Sequence, residues 1–235
     1  MNLFDLTGKT ALVIGGDGNL GPIWMETLRQ AGADAYSLGL PWFDFAEILQ
    51  INEAVAEYFR LVITPPDIII CNAAIDTPPT KTEARFFDDL EKTIQVNLIA
   101  HARIVEQFLP RMIENGGGVI VLIGSIMGSV AADYRNYSGG FEKPMAYNLS
   151  KCALQQMARS LTVQYGRQGI RAVCPGFGPY ISKKLPEDFL EKITSKIPTG
   201  KTVSKEDLQR TLLYAVCCDG LAGENWLVDG GYVIW

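Results

Sequence analysis

Short apolar runs rich in β-branched residues recur along the chain, and stretches with helical periodicity separate them. The runs are continuous rather than alternating, which is typical of strands buried on both faces of a parallel sheet. They are TALVI at 10–14, DIIIC at 67–71, GVIVLIG at 118–124, IRAVC at 170–174 and NWLV at 225–228. Between them, apolar residues lie three and four positions apart, as in crossover helices. The pattern predicts an α/β fold in three layers, with helices on both faces of a doubly wound parallel sheet.

The connection after the second predicted strand is unusually short. That strand lies within ADAYSLGL at 33–40, and the segment WFDFAEIL follows at 42–49. A full crossover helix should separate the second strand from a third, and too few residues lie between these two segments to form one. We therefore expect a shortened connection at this point, in the form of a loop.

Two long stretches without periodicity follow the ends of predicted strands, at 126–144 and 175–201. Ligands of open α/β sheets bind beyond the carboxyl ends of the strands, so we expect these loops to form walls of a substrate site. No Ser/Gly linker, internal repeat or low-complexity tract divides the 235 residues. The sequence therefore predicts a single domain over 1–235.

Charge and composition argue against several classes of function. The net charge is −5, the isoelectric point is near 5.0, and no run of Lys and Arg occurs, so a nucleic-acid partner is not expected. The N-terminal segment lacks the basic and apolar regions of a signal peptide, and no apolar stretch is long enough to span a bilayer. We expect a cytoplasmic protein with no membrane partner.

The cysteines and the one histidine predict no metal site. No CxxC spacing occurs, and most cysteines lie within apolar runs, where Cys behaves as a small hydrophobic residue. His101, in VNLIAHARIV, has no partner at metal-ligand spacing, and we interpret it as an ordinary helix residue. The residues interpreted as free thiols are Cys71, Cys152, Cys174, Cys217 and Cys218.

The glycine-rich stretch VIGGDGNLGP at 13–22 joins the first predicted strand to a predicted helix. There Gly15 can form the tight turn, a small middle residue lets backbone meet a pyrophosphate, and Gly21 lets helix and strand pack closely. A plain strand-to-helix turn would look similar, so this motif alone is weak. The predicted dinucleotide contacts in this stretch are Gly15, Asp17, Asn19, Leu20 and Gly21.

A second motif, YNLSK at 147–151, places Tyr147 and Lys151 four positions apart, on one face of a helix. An adjacent ammonium favours the phenolate and lowers the pKa of a tyrosine, which could then exchange a proton with an alcohol or carbonyl. The same spacing is common on solvated helix faces, so this motif also needs support from others.

These motifs, together with several others, resemble the short-chain dehydrogenase/reductase family over essentially the whole chain. The others occur in the family's order, at nearly its spacing: CNAA at 71–74, VNL at 96–98, IGSIMG at 123–128, CPG at 174–176 and NWLVDGGYVIW at 225–235. The resemblance implies a Rossmann-type fold, an NAD or NADP cofactor, and hydride exchange with an alcohol or carbonyl of a small-molecule substrate.

The resemblance also implies roles for individual residues. Tyr147 matches the catalytic acid/base, and Lys151 matches the residue that lowers its pKa and binds the nicotinamide ribose. Ser125 matches the serine that holds the substrate oxygen, and Asn97 matches the helix asparagine that anchors a proton-relay water. The further cofactor contacts implied are Asp44, Asn72, Ala73, Ala74, Pro175 and Gly176.

The sequence departs from the family's pattern in the cofactor loop. Ile14 replaces the usual Thr, and Asn19 replaces the middle Gly, which the turn can accommodate because Asn accepts left-handed backbone better than most residues. The Asp17 carboxylate would repel a 2′-phosphate. The acidic residue expected after the second strand aligns with Gly39, and no Arg or Lys follows it. NAD and NADP both stay open, with a slight preference for NAD.

The segment between Ser125 and Tyr147 is longer than usual in the family, and the surplus is DYRNYSGGFEK at 133–143. It is either a surface loop or a substrate-specific wall. The insertion, a Pro-Met pair shortly before Tyr147 and the DGGY-x-x-W terminus resemble the branch found in bacterial surface-sugar and flagellin-sugar pathways. The residues expected to suit a sugar or nucleotide-sugar are Tyr134, Arg135, Tyr137 and Lys143.

The leading hypothesis is an NAD(P)-dependent oxidoreductase that acts on a secondary alcohol or ketone of a polar substrate. One alternative is a dinucleotide-binding regulatory protein without catalysis, and another is a reductase of a pterin-like or acyl carbonyl compound. The resemblance further implies a homodimer or homotetramer, assembled through the helices around 90–115 and 145–167.

Overall fold

The computed structural model describes residues 3–78, 86–137, 143–181 and 187–234. Strands and helices alternate through these residues, as the apolar pattern predicts. The strands are β1 Thr10–Ile14, β2 Asp34–Leu38, β3 Ile68–Cys71, β4 Gly118–Leu122, β5 Gly124–Ser125, β6 Ile170–Val173, β7 Gly176–Phe177 and β8 Leu227–Val228. The helices are α1 Gly21–Gln30, α2 Ile48–Leu61, α3 Phe86–Ile94, α4 Ala100–Glu114, α5 Ala146–Tyr165, α6 Glu187–Thr194 and α7 Lys205–Cys217. None of the described helices is long and apolar enough to cross a membrane.

The main sheet is parallel and has the order β2-β1-β3-β4-β6 within the described residues. Side chains of β1 alternate between two buried clusters, because successive residues of a strand point to opposite faces. Leu12 packs with α2, α4 and α5 on one face, whereas Val13 packs with α1 and α7 on the other. Both faces are therefore covered, and the predicted three-layered, Rossmann-type fold is confirmed.

The shortened connection after β2 is present. Residues 39–47, all described, contain no helix, and α2 begins at Ile48. The apolar segment at 42–45 does not form a strand; it turns back instead, because the backbone N–H groups of Trp42 and Phe43 both donate to the Gly39 carbonyl at 3.1 Å. Among the described strands β2 pairs with β1 alone, so it lies at the edge of the main sheet.

The run predicted as one strand at 118–124 divides into two. Strand β4 ends at Leu122, and β5 belongs to a second, smaller parallel sheet with the order β5-β7-β8. The change of sheet is held by the Gly124 N–H, which donates to the Pro175 carbonyl at 2.8 Å. It places Ser125 opposite Phe177, above the carboxyl edge of the main sheet.

Helices α3 and α4 are joined by a π-helical turn over Gln95–Ile99. In it the Ala100 N–H donates to the Gln95 carbonyl, one residue further back than in an α-helix. Such turns are uncommon and are often found at functional sites. The turn carries Asn97, one of the four residues that the family resemblance marks as catalytic.

Candidate active site

A cleft of about 1160 Å³ opens at the carboxyl ends of the strands, where parallel α/β sheets bind ligands. Its walls come from the turns after β1, β2 and β3, from β5, from the start of α5, from the segment after β7, and from α6. Most of the residues predicted from sequence line it. They are Gly15, Asp17, Asn19, Leu20, Asp44, Asn72, Ala73, Ala74, Ser125, Tyr147 and Lys151.

Four predicted site residues do not line the cleft. Gly21 starts α1, where an added Cβ would lie 2.4 Å from the Gly15 carbonyl oxygen, so it serves close packing. Pro175 and Gly176 are buried behind the wall in the small sheet, and Asn97 is buried in its helix. Next to Gly176, the wall itself is formed by residues 177–181. These five lie within the segment 175–201, which was expected to form a substrate wall, although none of them was singled out individually.

The turn after β1 requires glycine at position 15. Gly15 has φ of +79°, and a Cβ there would lie 2.8 Å from the Cα of Ala73 in the turn after β3. Its N–H donates to the Leu38 carbonyl of β2 at 2.5 Å. Asn19 needs no left-handed backbone, since no non-glycine residue in the described part has a positive φ. Tolerance of left-handed backbone therefore does not explain why the turn accepts Asn19 in place of Gly.

Helix α1 points its N-terminus at the cleft. Its N-cap residue, Leu20, makes no side-chain capping hydrogen bond. Helix N-termini often bind anions through their first backbone N–H groups. In α1 the second residue is Pro22, which has no N–H, and the Ile23 N–H donates to the Leu20 carbonyl at 3.0 Å, so Gly21 is the first-turn residue whose N–H could meet an anion. The loop and this helix end therefore fit a pyrophosphate.

Asn72 ties the glycine loop to the end of β3. Its Nδ2 donates to the Gly15 carbonyl and its Oδ1 accepts from Trp24 Nε1, each at 2.7 Å. His101 supports the neighbouring residue, because its Nε2 lies 2.8 Å from the Ala73 carbonyl and donates to it. Burial lowers the pKa of His101 to about 4. His101 is thus a neutral residue behind the cleft wall, a position that its sequence context did not indicate.

The end of the cleft beside β2 carries two carboxylates. Asp17 accepts a hydrogen bond from Ser37 Oγ at 2.9 Å, beside Gly39. Asp44 lies in the loop after β2 and accepts from the Ala46 N–H at 3.0 Å. Exposed Lys92 of α3 also lines the cleft and, with Ala46, a smaller groove.

At the other end of the cleft, Tyr147, Ser125 and Lys151 come together. Tyr147 and Ser125 line the cleft together, close enough for the Ser125 hydroxyl to influence the pKa of Tyr147, and the Lys151 Nζ lies 5.5 Å from the centroid of the Tyr147 ring. Buried Lys151 donates to the Ile123 carbonyl at 2.7 Å. Burial lowers the pKa of its ammonium to about 8.

The pKa of Tyr147 moves opposite to the sequence expectation. Burial raises it above the ordinary tyrosine value, the Asp76 carboxylate raises it further, and the Ser125 hydroxyl lowers it in part. Burial outweighs the other causes because removing a phenolate from water is costly. Lowering of this pKa by Lys151 was expected and is not found.

Asn97 uses its side chain to hold the segment after β3. Its Oδ1 accepts from the Ile75 N–H at 2.8 Å, and its Nδ2 donates to the Ile75 carbonyl at 3.0 Å. The same Nδ2 donates to Ser150 Oγ on α5, also at 3.0 Å. Ser150 in turn donates to the Tyr147 carbonyl at 2.8 Å. Asn97 therefore links the end of β3 to the turn of α5 that carries Tyr147.

The described part of the insertion contributes three residues to the cleft wall: Asn136, Tyr137 and Lys143. The ring of Tyr137 stacks on that of Phe189 in α6 at 5.6 Å between centroids. Tyr134 and Arg135, which we also expected to contact substrate, are not among the lining residues. Residues 138–142 of the predicted insertion, and 182–186 of the other predicted loop, lie outside the described residues.

Comparison with known proteins agrees with this geometry. A family model described as "Enoyl-(Acyl carrier protein) reductase" matches residues 31–233. The 3-oxoacyl-[acyl-carrier-protein] reductase FabG of Rickettsia conorii is 30% identical over 99% of this chain and 100% of its own length.

Two solved structures share the fold. The NADP active-site complex of Pseudomonas aeruginosa RhlG has a TM-score of 0.87 at 21% identity, over 99% of both chains. A short-chain dehydrogenase of Leptospira borgpetersenii with bound NAD+ has a TM-score of 0.84 at 23% identity, over 98% of this chain and 94% of that one.

The family predicted from sequence motifs and the fold predicted from periodicity are thus both confirmed. Sequence identity of this level over the whole chain, the matching family model and the three-layered fold support the same assignment. The chain belongs to the short-chain dehydrogenase/reductase family, a family of NAD(P)-dependent oxidoreductases that act on alcohol and carbonyl groups.

Proposed function

We propose that this chain transfers hydride between a nicotinamide cofactor and a secondary alcohol or ketone of a polar substrate, with Tyr147 as the acid/base. One observation carries the proposal: Tyr147, Ser125 and buried Lys151 line the same cleft as the glycine loop. Such a reaction needs a proton donor and a dinucleotide-binding loop in one cleft.

The residues of the cleft fit a dinucleotide. Gly15 lets the turn after β1 pass directly against Ala73 in the turn after β3, and the backbone N–H groups of this loop and of Gly21 at the N-terminus of α1 would meet the pyrophosphate. Asp17 and Asp44 would contact the adenosine half, while the turn at Asn72–Ala74 and residues 177–181 would flank the nicotinamide half. When bound, the nicotinamide supplies or accepts the hydride.

The chain's own residues hold the reacting oxygen and manage its proton. Ser125 would fix the substrate oxygen by a hydrogen bond, and Tyr147 would donate a proton to it during reduction or accept one during oxidation. Tyr147 is protonated at neutral pH, because burial raises its pKa above the ordinary tyrosine value, so the side chain carries the proton that a carbonyl would take up during reduction.

Lys151 and Asn97 support Tyr147 in this scheme. The Lys151 ammonium would bind the nicotinamide ribose and stabilise the phenolate that forms when Tyr147 gives up its proton. The side-chain amide of Asn97 binds Ile75 and Ser150, so we assign it positioning of the cleft wall. Any relay water would then be held by the backbone of the π-helical turn.

NAD is the proposed preferred cofactor, with NADP as the alternative. Two carboxylates, Asp17 and Asp44, line the adenosine end of the cleft, where a 2′-phosphate would add negative charge. The cationic side chain of Lys92 also lines the cleft, which keeps NADP as the alternative. Asp17→Ala should therefore raise the affinity for NADP+ while changing that for NAD+ less, as measured by calorimetry.

A second candidate substrate class is favoured by one comparison. The Rickettsia relative is named a 3-oxoacyl-[acyl-carrier-protein] reductase, and the cleft also has apolar walls at Phe177, Ile181 and Phe189. An acyl ketone would bind along those walls. A sugar or nucleotide-sugar, the substrate expected from the insertion, would instead use the polar residues beside Tyr147.

We further propose a homodimer or homotetramer. Apolar side chains are exposed on the helices that the family resemblance implicates: Ile99 at the end of the π-helical turn, and Leu149 and Val163 on α5. Burial of such side chains against a symmetry mate would lower the free energy of assembly. Light scattering tests this, and a monomer at micromolar concentration would contradict it.

The proposal also covers organisation and location. We propose one domain over 1–235, in which the segments 126–144 and 175–201 contribute substrate walls. The five cysteines are free thiols, which is typical of a reducing compartment. We therefore place the protein in the cytoplasm.

The central experiment is Tyr147→Phe. The variant should lose turnover by at least about a thousandfold with any accepted carbonyl, while thermal shifts with NAD+, NADH, NADP+ and NADPH stay close to wild type. Tyr165→Phe, at the far end of the same helix, is the matched control and should keep its activity.

Two outcomes would contradict the proposal. Near-wild-type turnover by Tyr147→Phe would remove Tyr147 from the mechanism. Binding of nucleotides without reduction of any member of a broad carbonyl panel would favour the regulatory alternative. Stabilisation by none of the four nucleotides would exclude both readings.

A further inference from the structure

An ion pair at the reactive end of the cleft is not used by the proposed mechanism. Lys143, at the end of the insertion, pairs through its Nζ with the Asp76 carboxylate, which follows β3. Both residues line the cleft beside Tyr147, and the Lys143 Nζ lies 5.8 Å from the centroid of the Tyr147 ring. The pair is therefore placed to meet a substrate atom close to the reacting carbon.

The position of Asp76 is fixed from its own side of the cleft. Asn97 binds both the N–H and the carbonyl of Ile75, the residue immediately before it. After it, the Thr77 carbonyl accepts a hydrogen bond from the Lys143 Nζ at 2.8 Å. The backbone on both sides of Asp76 is thus held, so the direction of its carboxylate is set before a substrate arrives.

The two members of the pair are unequally exposed. The side chain of Lys143 is 10% exposed, whereas that of Asp76 is 49% exposed. The ammonium therefore lies behind the carboxylate, and an incoming molecule meets hydrogen-bond acceptors with negative charge. Such a surface favours hydroxyl donors and repels a substrate carboxylate. A hydrocarbon chain would remove water from the carboxylate without offering a hydrogen bond in return, which is unfavourable.

We propose that Asp76 is a specificity-determining residue that accepts a hydrogen bond from a substrate hydroxyl adjacent to the reacting carbon. The substrate class is then a polyhydroxylated ketone or alcohol rather than an acyl thioester or a simple alkanone. Lys143 is a positioning residue, which holds the carboxylate in place and balances its charge. This inference rests on the proposed function and deepens it.

The hydroxyl contact also fits the electrostatics around Asp76. The carboxylate raises the pKa of both Tyr147 and Tyr137, and it raises that of Lys151 against the effect of burial. It therefore lies within electrostatic reach of the acid/base and of the insertion. A hydroxyl held by Asp76 would sit close to an oxygen held by Ser125.

The first test compares turnover with three probes: a ketohexose, 2-hexanone and a 3-oxoacyl thioester. Wild type should prefer the ketohexose, and Asp76→Ala should raise its KM at least about tenfold with a smaller change in kcat. The KM for 2-hexanone should stay within about twofold or fall. Asp76→Asn should recover part of the preference, because its amide oxygen still accepts a hydrogen bond.

Two variants separate recognition from structure. The double variant Asp76→Ala/Lys143→Met removes both charges. If the ion pair is purely structural, the preference for the ketohexose should return in this variant. If the Asp76 carboxylate recognises the substrate, the preference should stay lost. Asp34→Ala removes an exposed carboxylate at the start of β2, at the opposite edge of the sheet from the cleft. This variant should change KM and kcat for each of the three probes by less than about twofold.

A binding measurement keeps the inference testable apart from turnover. Calorimetry of a hexitol with the NAD+-loaded Tyr147→Phe variant should give an affinity that falls at least about tenfold when Asp76→Ala is added. The inference would be overturned if Asp76→Ala left the hexitol affinity unchanged, or if the wild type preferred 2-hexanone or the thioester as substrate. If the hexitol binds through Asp76 but no carbonyl compound is turned over, the proposed oxidoreductase function is contradicted, whereas recognition of a hydroxyl by Asp76 is supported.

Discussion

Lys151→Met should make the protein more stable while removing the ammonium that the proposed mechanism needs. The Lys151 side chain is fully enclosed, and its Nζ donates to the Ile123 carbonyl. Burial lowers the pKa of the ammonium from 10.5 to about 8, although the Cys174, Asp76 and Cys71 groups favour the charged form. The folded state therefore holds this charge at a cost that the unfolded chain does not have.

The magnitude follows from the two pKa values. Each pKa unit corresponds to about 1.4 kcal/mol, so the cost at pH 7 is on the order of 3 kcal/mol. Methionine removes that cost but leaves the Ile123 carbonyl without its donor, which costs roughly 1 to 2 kcal/mol. We therefore expect Lys151→Met to raise the free energy of unfolding by about 1 to 2 kcal/mol, or a few degrees in Tm.

The pH dependence makes the expectation specific. Below pH 8 both states of the wild type are protonated at Lys151, and the full cost is present. Between pH 8 and 10.5 the unfolded chain binds more protons than the folded one, so the wild type gains stability with rising pH. The stability of Lys151→Met relative to wild type should therefore fall by roughly 2 to 3 kcal/mol between pH 7 and pH 10. Its advantage of about 1 to 2 kcal/mol should be lost near pH 9, and the variant should be the less stable protein at pH 10.

Urea unfolding of the cofactor-free wild type and variant, at pH 7 and at pH 10, measures this difference. Lys201→Met, which removes an exposed lysine, should change stability by less than about 0.5 kcal/mol at both values. A Lys151→Met protein that is less stable at pH 7, or a difference that does not depend on pH, would refute the reasoning.

Three further substitutions should have separable effects. Gly15→Ala places a Cβ within 2.9 Å of Ala73 at a positive φ, so thermal shifts with all four nucleotides should be lost. Asn72→Ala leaves Trp24 Nε1 without its acceptor and removes one of two donors to the Gly15 carbonyl, which should lower the free energy of unfolding by about 1 to 3 kcal/mol in urea. Arg171→Met removes three hydrogen bonds to carbonyls at and just beyond the end of α7; unfolding should become easier by about 2 to 4 kcal/mol, while calorimetry should find unchanged nucleotide affinity.

Much of the fold could be predicted because its signals are local. Continuous apolar runs mark strands buried on both faces, and three-and-four spacing marks the crossover helices, so the order of layers follows from periodicity. The shortened connection after β2 could be counted from the sequence. The division of the run at 118–124 could not, since it depends on a hydrogen bond between Gly124 and Pro175, which are distant in sequence.

The candidate site was predicted in the same uneven way. Tyr147, Lys151 and the glycine loop carry motifs with a defined spacing, and the structure brings them into one cleft. Residues 177–181 and Asp76 carry no motif of their own. Residues 177–181 lie within the segment 175–201 that was expected to form a substrate wall, but which of its residues face the cleft depends on how the small sheet is folded. The position of Asp76 depends on the turn after β3, so its sequence neighbourhood did not indicate a role.

By itself the sequence determined the layers and the family, and it marked the candidate residues for proton exchange and dinucleotide binding, because these depend on periodicity and on the chemistry of single side chains. Only the tertiary structure decided the environment of those residues. It enclosed Tyr147 partly, within electrostatic reach of Asp76, and so moved its pKa upward. It also paired Asp76 with Lys143 across the cleft. Both effects depend on burial and on distances through space, which the order of residues along the chain does not specify.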